Sequence, residues 1–266
     1  MRKTIAIFMS VLLFACSGPQ SKDSLRDAGG SDESESKTPI TDLIRNETEV
    51  LLQDQLDAKK ASWAQNAPLD IQEKYAKNQE AIELSGILGM ALRKGDRAPN
   101  FILKNAEGEE VSLYENLLNG PVILTWYRGG WCPYCNMTLN YLSKEMPKIK
   151  KEGAQLFALT PEVPDSSIST KEKHDLKFEV LSDLGNKIAK DYGIVYQLSP
   201  EVASIFQDKF DLHAYNGDSS DELPLSATYI IDQEGVIQYA FLDVDYRKRA
   251  EPRKLIKELK KLKSSN

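Results

Sequence analysis

From residue 95 to the C-terminus, apolar positions fall alternately into short strand-length runs and longer stretches with helical spacing. Runs at 101–103, 121–127, 155–160, 178–181, 227–231 and 236–242 predict strands, and patterns at 133–151, 165–174, 185–192 and 252–262 predict helices. Residues 227–242, ATYIIDQEGVIQYAFL, form two β-rich runs around a short turn containing Gly235, the pattern of a hairpin. The last helix opens with Pro252 in its first turn and sets Leu255, Ile256, Leu259 and Leu262 on one face. The order β-α-β, a crossover, then β-β-α predicts an α/β protein whose central mixed sheet is flanked by helices. Residues 195–224 carry no clear period and are expected to loop over the surface.

Upstream the pattern is helical. Leu43, Ile44, Val50, Leu51 and Trp63 recur at roughly helical spacing, with Thr41 placed as an N-cap. Pro68 interrupts the run, and a second helix carries Ile71, Tyr75, Ile82 and Leu88. This helical extension, residues 39–91, is expected to pack on the α/β domain at 92–266; a dimerisation arm is the alternative. Residues 16–38 are almost devoid of large apolar side chains and rich in Ser, Asp, Glu and Gly, the composition of a flexible tether. As a coil its 22 residues after Cys16 reach about 25 Å on average.

The first 15 residues add a location. Arg2 and Lys3 precede an apolar stretch from Ile5 to Ala15, too short to span a bilayer. Followed directly by Cys16, this segment resembles a bacterial lipoprotein signal in which Cys16 is lipidated; an ordinary secretory signal is the alternative. Composition changes the picture little: 41% hydrophobic, 28% charged and a net charge of −6 are those of a globular chain. No basic stripe interleaved with aromatics appears, so nucleic acid is not an expected partner. No conventional metal, nucleotide or flavin motif appears, so no cofactor is expected beyond the cysteines.

Cysteine usage is more informative. There are three cysteines, and with Cys16 lipidated the remaining two, Cys132 and Cys135, have only each other. They sit in VILTWYRGGWCPYC, where a strand ends, Gly129 and Gly130 turn the chain, and a helix begins. Pro133 suits the first helical position, which puts Cys132 at the N-cap and Cys135 one turn deeper on the same face. Helix-end N–H groups and the positive end of the dipole favour a thiolate at Cys132. The shallow sulfur is expected to face a partner, with the deeper one beside it as the resolving thiol. A zinc site is weighed against this, but no second cysteine pair exists, and His174 and His213 each follow the preceding candidate ligand by 38 intervening residues. A structural disulfide is the other alternative, closing too small a loop to contribute much.

Four segments, GDRAPNFIL at 95–103, VILTWYRGGWCPYC at 122–135, VLSDLGNKIAKDYGI at 180–194 and ATYIIDQEGVI at 227–237, resemble the peroxiredoxin-like branch of the alkyl hydroperoxide reductase and thiol-specific antioxidant family. The resemblance spans about residues 92–266, and the helical lead-in is similar to that of the same branch. It implies a thioredoxin fold. Laid on the chain without gaps, the family signature puts the peroxide-attacking cysteine on Cys135, its threonine on Cys132 and its proline on Arg128. The arginine that the family carries before a later strand falls on Ser226, also a cis-proline position in many thiol-disulfide oxidoreductases. Cys-Pro-Tyr-Cys itself resembles the glutaredoxin site. Arg128 is the nearest basic residue and can stabilise a thiolate or polarise a peroxide oxygen, or can be a solvated strand-end arginine. Trp131 is read as packing beside the pair. The cluster DYRKRAEP at 245–252 resembles the branch's C-terminal motif and is read as a solvated approach to the last helix.

Three functions follow as expectations. The first is a thiol peroxidase passing through a sulfenic acid and a Cys132–Cys135 disulfide. Helix geometry names Cys132 as its nucleophile, whereas the signature register, the more specific argument, favours Cys135. The second is an envelope thiol-disulfide oxidoreductase using the same pair, with Cys132 attacking. The third is a non-catalytic thioredoxin-like module on a lipid tether. A membrane-anchored peroxidase outside the cytoplasm needs a thioredoxin-like dithiol protein to recycle it.

Overall fold

The structure, a computed structural model, describes residues 51–265. The signal segment, Cys16, the tether and the Thr41 cap lie outside the described residues. Helices α1 (Leu52–Asn66), α2 (Leu69–Leu84) and α3 (Ile87–Met90) come first. Pro68 caps α2, so the proline ends one helix and starts the next. Then follow β1 (Ile102–Asn105), β2 (Glu110–Ser112), α4 (Leu113–Leu117), β3 (Val122–Trp126), α5 (Pro133–Lys151), β4 (Gln155–Thr160), α6 (Pro164–Lys173) and β5 (Glu179–Ser182). After a 3₁₀ turn come α7 (Lys187–Asp191), β6 (Val195–Gln197), α8 (Pro200–Phe210), α9 (Leu212–Asn216), β7 (Glu222–Pro224), β8 (Thr228–Ile231), β9 (Ile237–Phe241) and α10 (Pro252–Ser265).

Seven strands make one sheet in the order β2-β1-β5-β4-β3-β8-β9. β3, β4 and β5 run parallel, and the other pairings are antiparallel. The interior strand β3 is buried throughout, and its side chains alternate between two cores as a period-2 element must. Leu124 and Trp126 join Phe157, Leu159, Tyr192, Phe206 and Tyr229 on one face. Ile123 and Tyr127 join Leu156, Ala158 and Ile230 on the other, under α1, α5 and α10. On α5 the residues Cys135, Leu139, Leu142, Met146 and Ile149 recur at intervals of three and four, and all are buried there. This is a thioredoxin-like fold with a helical extension ahead of it.

One expectation fails. Residues 195–224 are not an irregular surface loop: β6 pairs with β7 as a separate ribbon, with α8 and α9 between. Ser199 caps α8 through Val202 N–H, and Pro200 stands at its first position. Val202, Ala203 and Phe206 are buried with Ile205 and Phe210 packed beside them, so α8 carries both a helix-start signal and an apolar face that an irregular-loop reading passes over.

Candidate active site: a covered dithiol with two arginines

β3 delivers the chain to Tyr127, and the loop 128–131 turns it into α5. Gly129 has φ +151°, and a Cβ there would meet the Trp131 indole at 2.2 Å. A Cβ on Gly130 would lie 2.2 Å from Thr170 Oγ1. Both glycines are therefore required by close packing of the turn. Cys132 is the N-cap residue of α5, with φ −89° and ψ 113°, and Pro133 follows at the first helical position. Cys135 lies one turn deeper. Both thiols are free.

The expectation that Cys132 is open to a partner is corrected: Cys132 and Cys135 are each 0% exposed. Leu52 and Leu56 of α1, Tyr134 and the aliphatic face of α10 belong to the same buried cluster as the two sulfurs. Helix α1 of the extension packs on α5, the helix that carries the pair. Trp131 packs as expected, stacked on Phe210 with ring centroids 5.1 Å apart and tilted against Phe206 at 5.0 Å.

Arg128 is not a solvated strand-end residue. It is 3% exposed, and its Nη2 donates to Cys132 Sγ at 3.0 Å. Its guanidinium carbon lies 3.6 Å from the centroid of the Tyr246 ring and 5.2 Å from that of Trp131. Aromatic faces are the surroundings in which a desolvated guanidinium keeps some compensation. Tyr246 also lines a surface groove of about 680 Å³ with Trp63, Tyr75 and Arg247.

The reading of 245–252 as a solvated approach is also overturned. Arg249 is 6% exposed and its Nη2 donates to Cys135 Sγ at 3.4 Å, across 114 residues of sequence. Each sulfur therefore has its own arginine. Sequence reasoning did not single out Arg249 or Tyr246. The only signal was the motif-like cluster itself, and no spacing rule ties it to the cysteines.

The two thiols respond in opposite directions. Burial works to raise the Cys132 pKa, but a hydrogen bond from Cys135, the Arg128 and Arg249 charges and the Arg128 hydrogen bond outweigh it, holding Cys132 well below the ordinary thiol range. Burial, the proton shared toward Cys132 and the negative charge there push Cys135 well above that range, against both arginines. The two thiols are thus driven apart in acidity, Cys132 the more acidic. Ser226, where the family's arginine is expected, is buried just before β8, and its hydroxyl has no partner among the described residues.

Two free cysteines of unequal acidity at the mouth of a helix in a thioredoxin-like fold define a thiol oxidoreductase. Residues 94–240 match the AhpC/TSA family, and the chain belongs to that family as a peroxiredoxin-like oxidoreductase. It is 30% identical over 172 residues to chloroplastic peroxiredoxin Q of Oryza sativa subsp. japonica, covering 65% of this chain and 67% of that protein. It is 32% identical over 124 residues to the thiol-disulfide oxidoreductase ResA of Bacillus cereus (strain ATCC 10987 / NRS 248), covering 42% of this chain and 70% of that protein. The fold is shared with peroxidoxin BcpB of Mycobacterium tuberculosis, with a TM-score of 0.52, 16% identity, and coverage of 64% of this chain and 98% of that one.

Proposed function

We propose that the protein is a thiol peroxidase in which Cys132 is the attacking thiolate and Cys135 the resolving thiol. The observation that carries this reading is the buried Arg128 Nη2 at 3.0 Å from the Cys132 sulfur at the N-cap of α5. It favours Cys132 over Cys135, the residue that the signature register names. The Cys132 thiolate attacks the terminal oxygen of a peroxide and the O–O bond breaks. The departing oxygen takes a proton and leaves as water or an alcohol, and Cys132 becomes a sulfenic acid. A guanidinium beside the reacting sulfur is positioned to stabilise charge developing on the peroxide oxygens. Cys135 then loses its proton and attacks the Cys132 sulfur; the S–O bond breaks, water leaves, and a disulfide forms. Two electrons from a thioredoxin-like dithiol protein restore the pair. Hydrogen peroxide and organic hydroperoxides are the proposed substrates.

Lipidation at Cys16, with the domain held outside the cytoplasm on residues 16–38, belongs to the same proposal. Mass spectrometry of the mature N-terminus tests it: an unmodified Cys16 would sink the anchor and leave the chemistry untouched.

The test of the chemistry is stopped-flow oxidation of the reduced protein by hydrogen peroxide, read by tryptophan fluorescence with Trp131 as reporter. Oxidation is expected to be orders of magnitude faster than that of a free thiolate, to be lost in Cys132→Ser, and to stop at the sulfenic acid in Cys135→Ser. A rate no faster than a free thiol's would overturn the reading and favour disulfide exchange. That second reading is supported by the similarity to ResA, while Ser226 departs from both patterns, being neither the peroxiredoxin arginine nor the oxidoreductase cis-proline.

A further inference from the structure

Glu162 lies just beyond β4, behind the loop that carries Arg128, and is 0% exposed. Its Oε1 accepts the Gly130 backbone N–H at 2.7 Å. Its Oε2 accepts the Tyr127 hydroxyl at 2.7 Å and the Thr170 hydroxyl at 3.5 Å. Among the described residues no lysine or arginine pairs with it. A buried carboxylate with no counter-cation is costly, and neutral donors compensate it only in part. Neutral residues of similar shape would fill the same space, so the charge itself requires an account.

The three bonds suggest one. Tyr127 and Gly130 bracket Arg128 and Gly129, so the carboxylate grips both ends of the segment that aims the guanidinium at Cys132. Glu162 is bonded by the Tyr127 hydroxyl from the end of β3, the Gly130 N–H from the loop and the Thr170 hydroxyl from α6, and Cys135 of α5 acts on it through charge alone. Burial raises the Glu162 pKa and a Cys135 thiolate raises it further, while the bonds from Gly130, Tyr127 and Thr170 lower it. Coupling between two groups is reciprocal, so a charged Glu162 also opposes a thiolate on Cys135.

We propose that Glu162 is a positioning residue of the dithiol, clamping the loop that presents Arg128 to Cys132 and, by its negative charge, keeping Cys135 protonated in the reduced pair. The sulfur that must lose its proton only after Cys132 is oxidised is thereby held as a thiol until then. The assignment of roles to the two sulfurs rests on the reading above; the effect on Cys135 does not.

The test is a pH titration of cysteine ¹³Cβ shifts in the reduced, isotopically labelled full chain, in which each cysteine gives its own signal. Glu162→Gln keeps the shape, its amide oxygen accepting from Gly130 and its NH₂ donating to the Tyr127 oxygen, and removes the charge. Its apparent Cys135 pKa is expected to fall by about one unit. Glu162→Asp keeps the charge but shortens the reach, so Cys135 should titrate near its original value while the Gly130 amide exchanges with solvent faster. A merely structural Glu162 would give the reverse, with the Asp variant shifted and the Gln variant not, and that result would overturn the proposal. So would Cys135 curves that superimpose in all three proteins. No peroxide enters the experiment, so its outcome is separate from whether the protein is a peroxidase.

Discussion

Cys132 and Cys135 lie one turn apart on a single helix, equally buried, each with an arginine on its sulfur, yet they prefer opposite protonation states. Solvent access therefore does not distinguish them. What differs is where each arginine comes from and how close it stands. Arg128 arrives from the turn that precedes the helix, four residues from its sulfur and at 3.0 Å. Arg249 arrives from the far end of the chain and stops at 3.4 Å. Cys132 also has the open helix end, whereas Cys135 lies within the first turn, past the N-cap. The strongest influence lowering Cys132 is the hydrogen bond from Cys135 itself, followed by the Arg128 and Arg249 charges, so the contrast is a property of the pair as well as of the contact each arginine makes.

The largest expected effect removes the shelter the two sulfurs share. Leu56→Ala opens a cavity where α1 packs on α5, in the same core as the dithiol, and is expected to cost about 2–5 kcal/mol of stability, measured by denaturant unfolding. Both cysteines should then react faster with alkylating reagents. If only one gains, the cover is not shared.

Arg128→Met attacks one side of the comparison. The rate of oxidation by peroxide is expected to fall by about 10²–10³, with the Cys132 pKa rising toward the ordinary thiol value. Arg128→Lys should recover part of the pKa depression but less of the rate, because an ammonium lacks the planar fork. An unchanged rate in Arg128→Met would leave the Cys135 hydrogen bond, the Arg249 charge and the helix end to activate Cys132 without Arg128.

Arg249→Met is expected to act on the second step. Disulfide closure after oxidation should slow by about tenfold, because the Cys135 thiolate loses its nearest charge. Mass spectrometry of quenched reactions reads this as longer-lived sulfenic acid. A larger effect on oxidation than on closure would contradict the division of labour between the arginines.

The smallest effect is on pH dependence. A depressed folded pKa contributes stability that is present above the unfolded value of about 8.5 and is lost as pH falls through the folded value. Cys135, raised, contributes in the opposite sense: its share is present below about 8.5 and is lost as pH rises through its folded value. Melting temperatures of Cys132→Ser and Cys135→Ser against the parent should therefore diverge with opposite slopes. The oxidation rate should stay flat from pH 8 downward until the folded pKa of Cys132 is reached. Parallel slopes would mean that the two sulfurs share one titration.

Much of this was legible in the sequence because it is local. Strand β4 and helix α5 fall on the residues predicted, since buried strands read as apolar runs and Pro133 marks the start of α5. Arg128 was a visible candidate, being in the same turn as the pair. The short β2 and α4 have too few residues for a period to show. Arg249 and Glu162 were illegible for a different reason. One is brought to the site by the return of the chain before α10 and the other by the parallel pairing of β4 with β3, and a charged residue in a loop carries no local mark that it will be buried.

The cover over the dithiol sets how the protein keeps time. A sulfur with no exposed surface meets a bulky reagent only when packing around α1 and Tyr246 gives way. At high reagent concentration, labelling should therefore saturate at a rate that belongs to the protein and not to the reagent. On the proposed chemistry, a small peroxide and a large dithiol protein then face different clocks on the same pair of atoms. Oxidation can follow the brief breathing that admits two oxygens, while reduction waits for the rarer opening that admits another protein.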